Sequence, residues 1–241
     1  MGESFDLDYR LGELLGRGQF HALYKCVSVS TGKDFAVKII DKFSGCFDRR
    51  LVYSEIKFTL LAASENQRSV QIHQVYEDIV VVYLIVDLCP GPDLFDRIAS
   101  HGAFLENEAA ALITELVEAI AECHHHGIAH HDIKSENILF GSNGYLLLAD
   151  FGCAAQFEKG IRTLIGKVGT PAYAAPEVLA SQNYDEKVDV WSAGVVHYLL
   201  LGWTLPFNGE TEEEIVAAVK KGDPICFPRN SFPGYHVELR I

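Results

Sequence analysis

Two glycines, Gly16 and Gly18, flank Arg17 at the turn between the first two strand-like runs of the chain. Lacking a Cβ, such a turn lets backbone N–H groups approach phosphate oxygens. A lone Gly-x-Gly is also an ordinary tight turn, so both readings stand at this point. Lys38, in Ala36-Val37-Lys38, is the cation of an otherwise apolar run. It is either a solvated edge residue or a cation for phosphate oxygens, held in place by a carboxylate. Glu55, in the next helical stretch, is the natural partner. A denser group of reactive side chains follows in His130-His131-Asp132-Ile133-Lys134-Ser135-Glu136-Asn137. Beyond it come Asp150-Phe151-Gly152, Ala175-Pro176-Glu177 and Asp189-Val190-Trp191.

The elements that must position these groups are legible. Residues 9–17, 20–27 and 34–40 are short runs rich in aromatic and β-branched residues, broken by Gly and Thr-Gly, which predicts antiparallel hairpins. Residues 49–63 have helical spacing, and residues 79–87 form a continuous apolar strand. Pro90-Gly91-Pro92 then punctuates the chain. Ala109, Leu112, Ile113, Leu116, Val117 and Ile120 recur at three- and four-residue steps, as on an amphipathic helix. Two short strands around residues 138–140 and 145–148 are joined by the turn Asn143-Gly144. After a long irregular segment, residues 150–177, come a helix apolar on all sides and a last helix opened by a capping box, Thr211 with Glu214. The expectation is an α+β chain: a small antiparallel β lobe, a hinge at residues 88–92 and a mainly helical lobe.

Composition narrows the function classes. Of 241 residues, 49% are hydrophobic and 22% charged, an ordinary globular composition. Asp and Glu outnumber Lys and Arg by 33 to 20, for a formal charge of −13, which disfavours binding nucleic acid through its phosphates. The same charge suits a basic peptide partner. The six cysteines show no C-x-x-C pair or regular spacing, so free thiols and a reducing, cytoplasmic location are expected. Residues 1–10 have no apolar signal segment, and Asp6 breaks a myristoylation pattern at Gly2. Residues 190–207 carry no charge, yet Ser192, Gly194, His197, Gly202, Thr204 and Pro206 favour a buried core helix over a membrane span. His124-His125-His126 do not read as a metal site, because each helical step turns roughly 100 degrees and the rings splay apart.

The order and spacing of these motifs resemble the eukaryotic protein-kinase family, over about residues 9–225. The resemblance implies a bilobal kinase fold with an N-lobe at 9–88, a partial C-lobe at 93–225 and an unlike tail at 226–241. It implies that Leu15, Gly16, Arg17, Gly18 and Leu23 cover ATP, with Ala36 against the nucleotide. Lys38, paired with Glu55, would hold the phosphates, and the backbone at Asp87 and Cys89 would bond adenine. Asp132 would orient the substrate hydroxyl and accept its proton. Asn137 and Asp150 would ligate Mg²⁺. Lys134 marks the Ser/Thr type, and Thr170 would support the same geometry. The stretches around Leu94-Phe95-Asp96-Arg97 and Tyr184-Asp185-Glu186-Lys187 look like the calcium-dependent kinase branch of plants, closest in texture to phosphoenolpyruvate carboxylase kinases. That implies a calcium-independent, monomeric enzyme, with phosphoenolpyruvate carboxylase as the candidate substrate. Asp93 and Glu136 would bind a basic residue upstream of the target Ser or Thr. No D-x-[DN]-x-[DN]-G loop occurs in the chain.

Three departures stand out. His21 replaces the third glycine of the loop and Leu23 the usual Val, so weaker ATP binding is expected. His131 replaces an Arg that normally docks a phosphorylated activation loop, so phosphorylation at Thr163 should matter little. The C-terminal helices look truncated, and only Arg229 and Arg240 remain to pair with Glu177. These departures support a second reading, a pseudokinase-like module that binds nucleotide or protein without phosphate transfer, or an inactive truncated form.

Overall fold

A computed structural model describes residues 4–18, 21–45, 47–64 and 68–222. The proposed tail at 226–241, with Arg229 and Arg240, lies outside them. By its contacts the chain divides into two compact units, one of residues 1–92 with 139–152, the other of residues 93–138 with 153–241.

The first unit is built on a five-stranded antiparallel sheet: β1 Tyr9–Arg17, β2 His21–Ser28, β3 Asp34–Asp41, β4 Ile72–Glu77 and β5 Val81–Val86, in the order β1-β2-β3-β5-β4. A short helix, α1 (Phe5–Asp8), precedes it. Alternation sorts the side chains onto two faces. On one, Phe35 and Val37 of β3 pack with Cys26, Tyr76, Ile85, Tyr9 and Phe5. On the other, Ile40, Val82 and Leu84 pack on Val52 of helix α2 (Arg49–Ala63). Asp48 caps that helix by accepting the Arg50 N–H at 2.8 Å. Strand β4, missed in sequence because Ile72–Glu77 mixes His and Gln with its apolar residues, pairs with β5 and closes the sheet.

The hairpin β7 (Ile138–Phe140) with β8 (Leu146–Leu148) ends in this unit too. Leu148 donates to the Arg68 carbonyl at 2.8 Å and accepts from the Val70 N–H at 3.0 Å. That bridge is why residues 139–152 belong with the sheet, where the sequence reading runs the second lobe unbroken from residue 93.

The second unit is mainly helical: α3 Leu94–His101, α4 Glu106–His125, α5 Pro176–Leu179, α6 Lys187–Gly202 and α7 Glu212–Lys221, with the short pair β6 Ile128–Ala129 and β9 Ala155–Gln156. Helix α6, buried on most sides, packs along α4. Among the described residues no helix is long and apolar enough to cross a membrane. Tyr184, Phe157, Val178, Leu179, Val188, Phe207 and Val219 form the core beside α5 and α7. The expected cap of α7 is present with one change. Thr211 accepts from the Glu214 N–H, but the Glu214 carboxylate reaches back to the N–H of Glu210 instead of Thr211.

Candidate active site

Lys38 sits mid-strand in β3, between β2 and β5, and is largely buried, which removes the edge-residue reading. Its Nζ donates to Glu55 Oε1 of α2 at 2.5 Å and lies 3.9 Å from Asp150 Oδ1. Burial alone would lower the Lys38 pKa, but Glu55 and Asp150 more than offset it and leave the ammonium favoured. Gly16 and Leu23 are opposed in β1 and β2, and Leu23 opposes Lys38 in turn. Directly opposed residues share a sheet face, so these three lie on one face. Gly18 follows the end of β1, its N–H bonded to the His21 carbonyl at 3.0 Å. Leu15 and Arg17 are exposed and Ala36 is buried.

At the other end of the sheet, the Asp87 carboxylate is bound by the Gln71 N–H and by His73 Nε2. Its own N–H reaches the Gln71 carbonyl. The Asp87 carbonyl and Cys89 N–H take no backbone partner among the described residues. Burial, then Asp87, pushes the Cys89 thiol up to about 11, so it stays protonated. Asp150 has a left-handed backbone, φ 62°, and its carboxylate accepts the Gly152 N–H. Such a conformation is strained for a residue other than glycine.

In the second unit Asp132 is the hub. Its Oδ1 accepts the Thr170 hydroxyl at 2.7 Å, and its Oδ2 accepts Lys134 Nζ at 2.8 Å and Asn137 Nδ2 at 3.3 Å. Lys134 Nζ also reaches Thr170 Oγ1 at 3.0 Å, closing a triangle. Asn137 Nδ2 also donates to the Asp132 carbonyl at 2.8 Å, so its recorded bonds use the amide nitrogen and not the oxygen. An amide oxygen here and the Asp150 carboxylate in the first unit are hard donors of the kind Mg²⁺ takes. Gly169 explains how Thr170 arrives. At φ 82° a Cβ there would sit 2.2 Å from the His131 carbonyl, so only glycine lets the segment pass this close.

The support beneath this loop was not foreseen. Buried Asp189 of α6 accepts the backbone N–H groups of His130 and His131, both at 2.8 Å, and His124 Nε2 at 2.8 Å. Burial opposes its charge, yet His124, His130 and His131 hold its pKa below the usual range. These bonds secure His131 in a left-handed conformation, φ 68°. Of the run His124-His125-His126, His124 serves this carboxylate and His126 Nδ1 meets the Glu122 carbonyl; among the described residues no group of three or more His, Cys, Asp or Glu is placed to hold a metal. His124 could have been singled out only by knowing that α4 and α6 pack together. Among the described residues, Cys26, Cys89, Cys123 and Cys153 form no disulfide.

Comparison with known proteins agrees. The model of the protein kinase domain matches residues 9–229. The chain is 42% identical over 215 residues to the serine/threonine-protein kinase PEPKR2 of Arabidopsis thaliana, covering 89% of this chain and 44% of that protein. It is 39% identical to calcium-dependent protein kinase 24 of the same plant, over 97% of this chain and 40% of the relative. It is 34% identical to the calcium/calmodulin-dependent protein kinase cmkB of Emericella nidulans, over 96% of this chain and 58% of the relative. The chain therefore spans less than half the length of the first two. With the motifs in place and the domain matched along nearly the whole chain, it belongs to the protein kinase family, among its serine/threonine members.

Proposed function

We propose that the chain transfers the γ-phosphoryl group of ATP to a Ser or Thr hydroxyl, as a calcium-independent kinase of the phosphoenolpyruvate-carboxylase-kinase type. The observation that carries this reading is the Asp132–Lys134–Thr170 triangle, with both carboxylate oxygens held and aimed. Asp132 orients the hydroxyl and takes its proton as the new O–P bond forms and the bond to the leaving ADP oxygen breaks. Lys134 offsets negative charge beside that carboxylate. Lys38, kept charged and oriented by Glu55, holds nucleotide phosphates. Asn137 and Asp150 are the residues that would hold Mg²⁺, whose chemistry there would be to offset negative charge on the transferred group.

Substrate choice follows from a second cluster. Asp93, the N-cap of α3, has its pKa raised by burial and by the nearby carboxylates of Asp96 and Glu136. Crowded carboxylates of this kind are relieved by a basic residue, which supports a preference for Lys or Arg upstream of the target. Phosphoenolpyruvate carboxylase is the candidate substrate of what we take to be a monomeric enzyme, and a reducing, cytoplasmic setting is supported by six cysteines without a pairing pattern in the sequence.

The test is transfer from labelled Mg·ATP to a Ser peptide with an upstream Arg, with and without a calcium chelator. Chelator-insensitive transfer that Asp132→Ala abolishes is expected. A cooperatively melting chain that binds Mg·ATP but transfers nothing would replace this reading with a nucleotide-binding module.

A further inference from the structure

His21 was expected from its bulk alone to hinder ATP. Its placement argues otherwise. In the β2–β3 register His21 opposes Ile40 and Leu23 opposes Lys38. Opposed residues share a face, and so do residues two apart on one strand. The His21 ring therefore lies on the face that carries Lys38. The neighbours confirm the assignment, since Tyr24, Cys26, Phe35 and Val37 all pack on the opposite face. The ring also rests on Gly18: a Cβ at that glycine would lie 2.4–2.9 Å from ring atoms Cε1, Nε2 and Nδ1. Gly18 and His21 are tied by a backbone bond as well. The imidazole thus lies against the glycine turn on the sheet face that carries Lys38, where nucleotide phosphates would lie.

On the kinase reading above, we infer that His21 is a phosphate-binding residue of this chain, donating a ring N–H to a phosphate oxygen of the nucleoside triphosphate. Burial first, then the Lys38 cation, lowers the ring's pKa to about 4, with Asp150 opposing. At neutral pH the ring is therefore neutral and still carries one N–H donor. A hydrogen bond to a charged acceptor is stronger than one between neutral groups. The substitution thus replaces the backbone flexibility of a third glycine with a side-chain donor.

The test compares binding of ATP, ADP and adenosine to the full chain by calorimetry, for the parent, His21→Gly and His21→Gln. His21→Gly is expected to weaken ATP and ADP about tenfold, the scale of one such hydrogen bond, and to leave adenosine unchanged. His21→Gln, which keeps an N–H donor of similar reach, should recover most of the loss. ATP binding as tight or tighter in His21→Gly, or an equal loss for adenosine, would overturn the assignment. So would His21→Gln as weak as His21→Gly. A parent chain that binds neither ATP nor adenosine would instead overturn the kinase reading itself.

Discussion

The imidazole of His131 donates through Nδ1 to the main-chain carbonyl of Cys153 at 3.0 Å, which fixes its tautomer because a carbonyl oxygen only accepts. Nε2 is then a bare acceptor, buried without a partner among the described residues, and the ring lines a small cavity with Val168, Ala174, Val178 and Val188. Burial lowers its pKa, so the ring is uncharged at neutral pH. It offers no cation to a phosphorylated loop. Thr163→Ala and Thr163→Glu should therefore keep peptide-phosphorylation rates within about twofold of the parent, because the docking charge a phosphate would need is missing. A loss of tenfold or more in Thr163→Ala would sink the idea.

The same ring makes stability depend on pH. A histidine whose folded pKa is depressed holds fewer protons in the folded state than in the unfolded one. Its stabilising contribution is full above the ordinary value near 6.5 and is lost as pH falls below it. His21, lowered to about 4, acts in the same direction. Melting temperature should fall between pH 7.5 and pH 5.5. His131→Gln should reduce that slope without removing it. A slope identical in the variant would show that His131 does not contribute.

Gly169→Ala should be among the most damaging small substitutions in the chain. Its Cβ would meet the His131 carbonyl at 2.2 Å, and the backbone there, φ 82°, is unsuited to alanine. Relief requires the segment to move, which takes the Thr170 hydroxyl away from Asp132. A displacement of about 1 Å at such a site can cost roughly a hundredfold in rate. Steady-state kinetics with the basic peptide should show kcat reduced on that scale. Unchanged kcat would mean the Thr170 contact is dispensable.

Glu77, at the end of β4, ties the strand of Lys38 to the helix of Glu55. Its carboxylate accepts Lys42 Nζ at 2.5 Å, Arg49 Nη2 at 2.6 Å and the Tyr53 hydroxyl at 2.5 Å. Arg49 and Tyr53 belong to α2, and Lys42 follows β3. Those three donors, Lys42 foremost, hold the Glu77 carboxyl at about 2. Glu77→Gln should loosen α2 and lower kcat/KM for ATP several-fold, with adenosine affinity unchanged. Equal losses for ATP and adenosine would point to general destabilisation rather than a positioning role.

The strands of residues 9–41, helix α2 and the short hairpin of β7 and β8 could be read from apolar periodicity and turn residues, since those signals are local. The pairing of Lys38 with Glu55 was legible, and Asp132, Lys134, Asn137 and Thr170 were singled out by motif resemblance, each with its own expected role; that the last three all bond to Asp132 is a finding of the geometry. The bridge from Leu148 to residues 68–70, the clamp of Glu77, and His124 on Asp189 were not legible.

The motifs by themselves determined the family and the candidate residues for its chemistry, because spacing and residue type are written along the chain. Only the tertiary structure decided that the unusual histidines differ in kind. Sheet register turns His21 toward the face of Lys38, while packing of α6 under the loop of Asp132 buries His131 on the Asp189 side. Which face a side chain takes, and what lies beneath it, depends on strands and helices distant in sequence, and no local pattern carries that information.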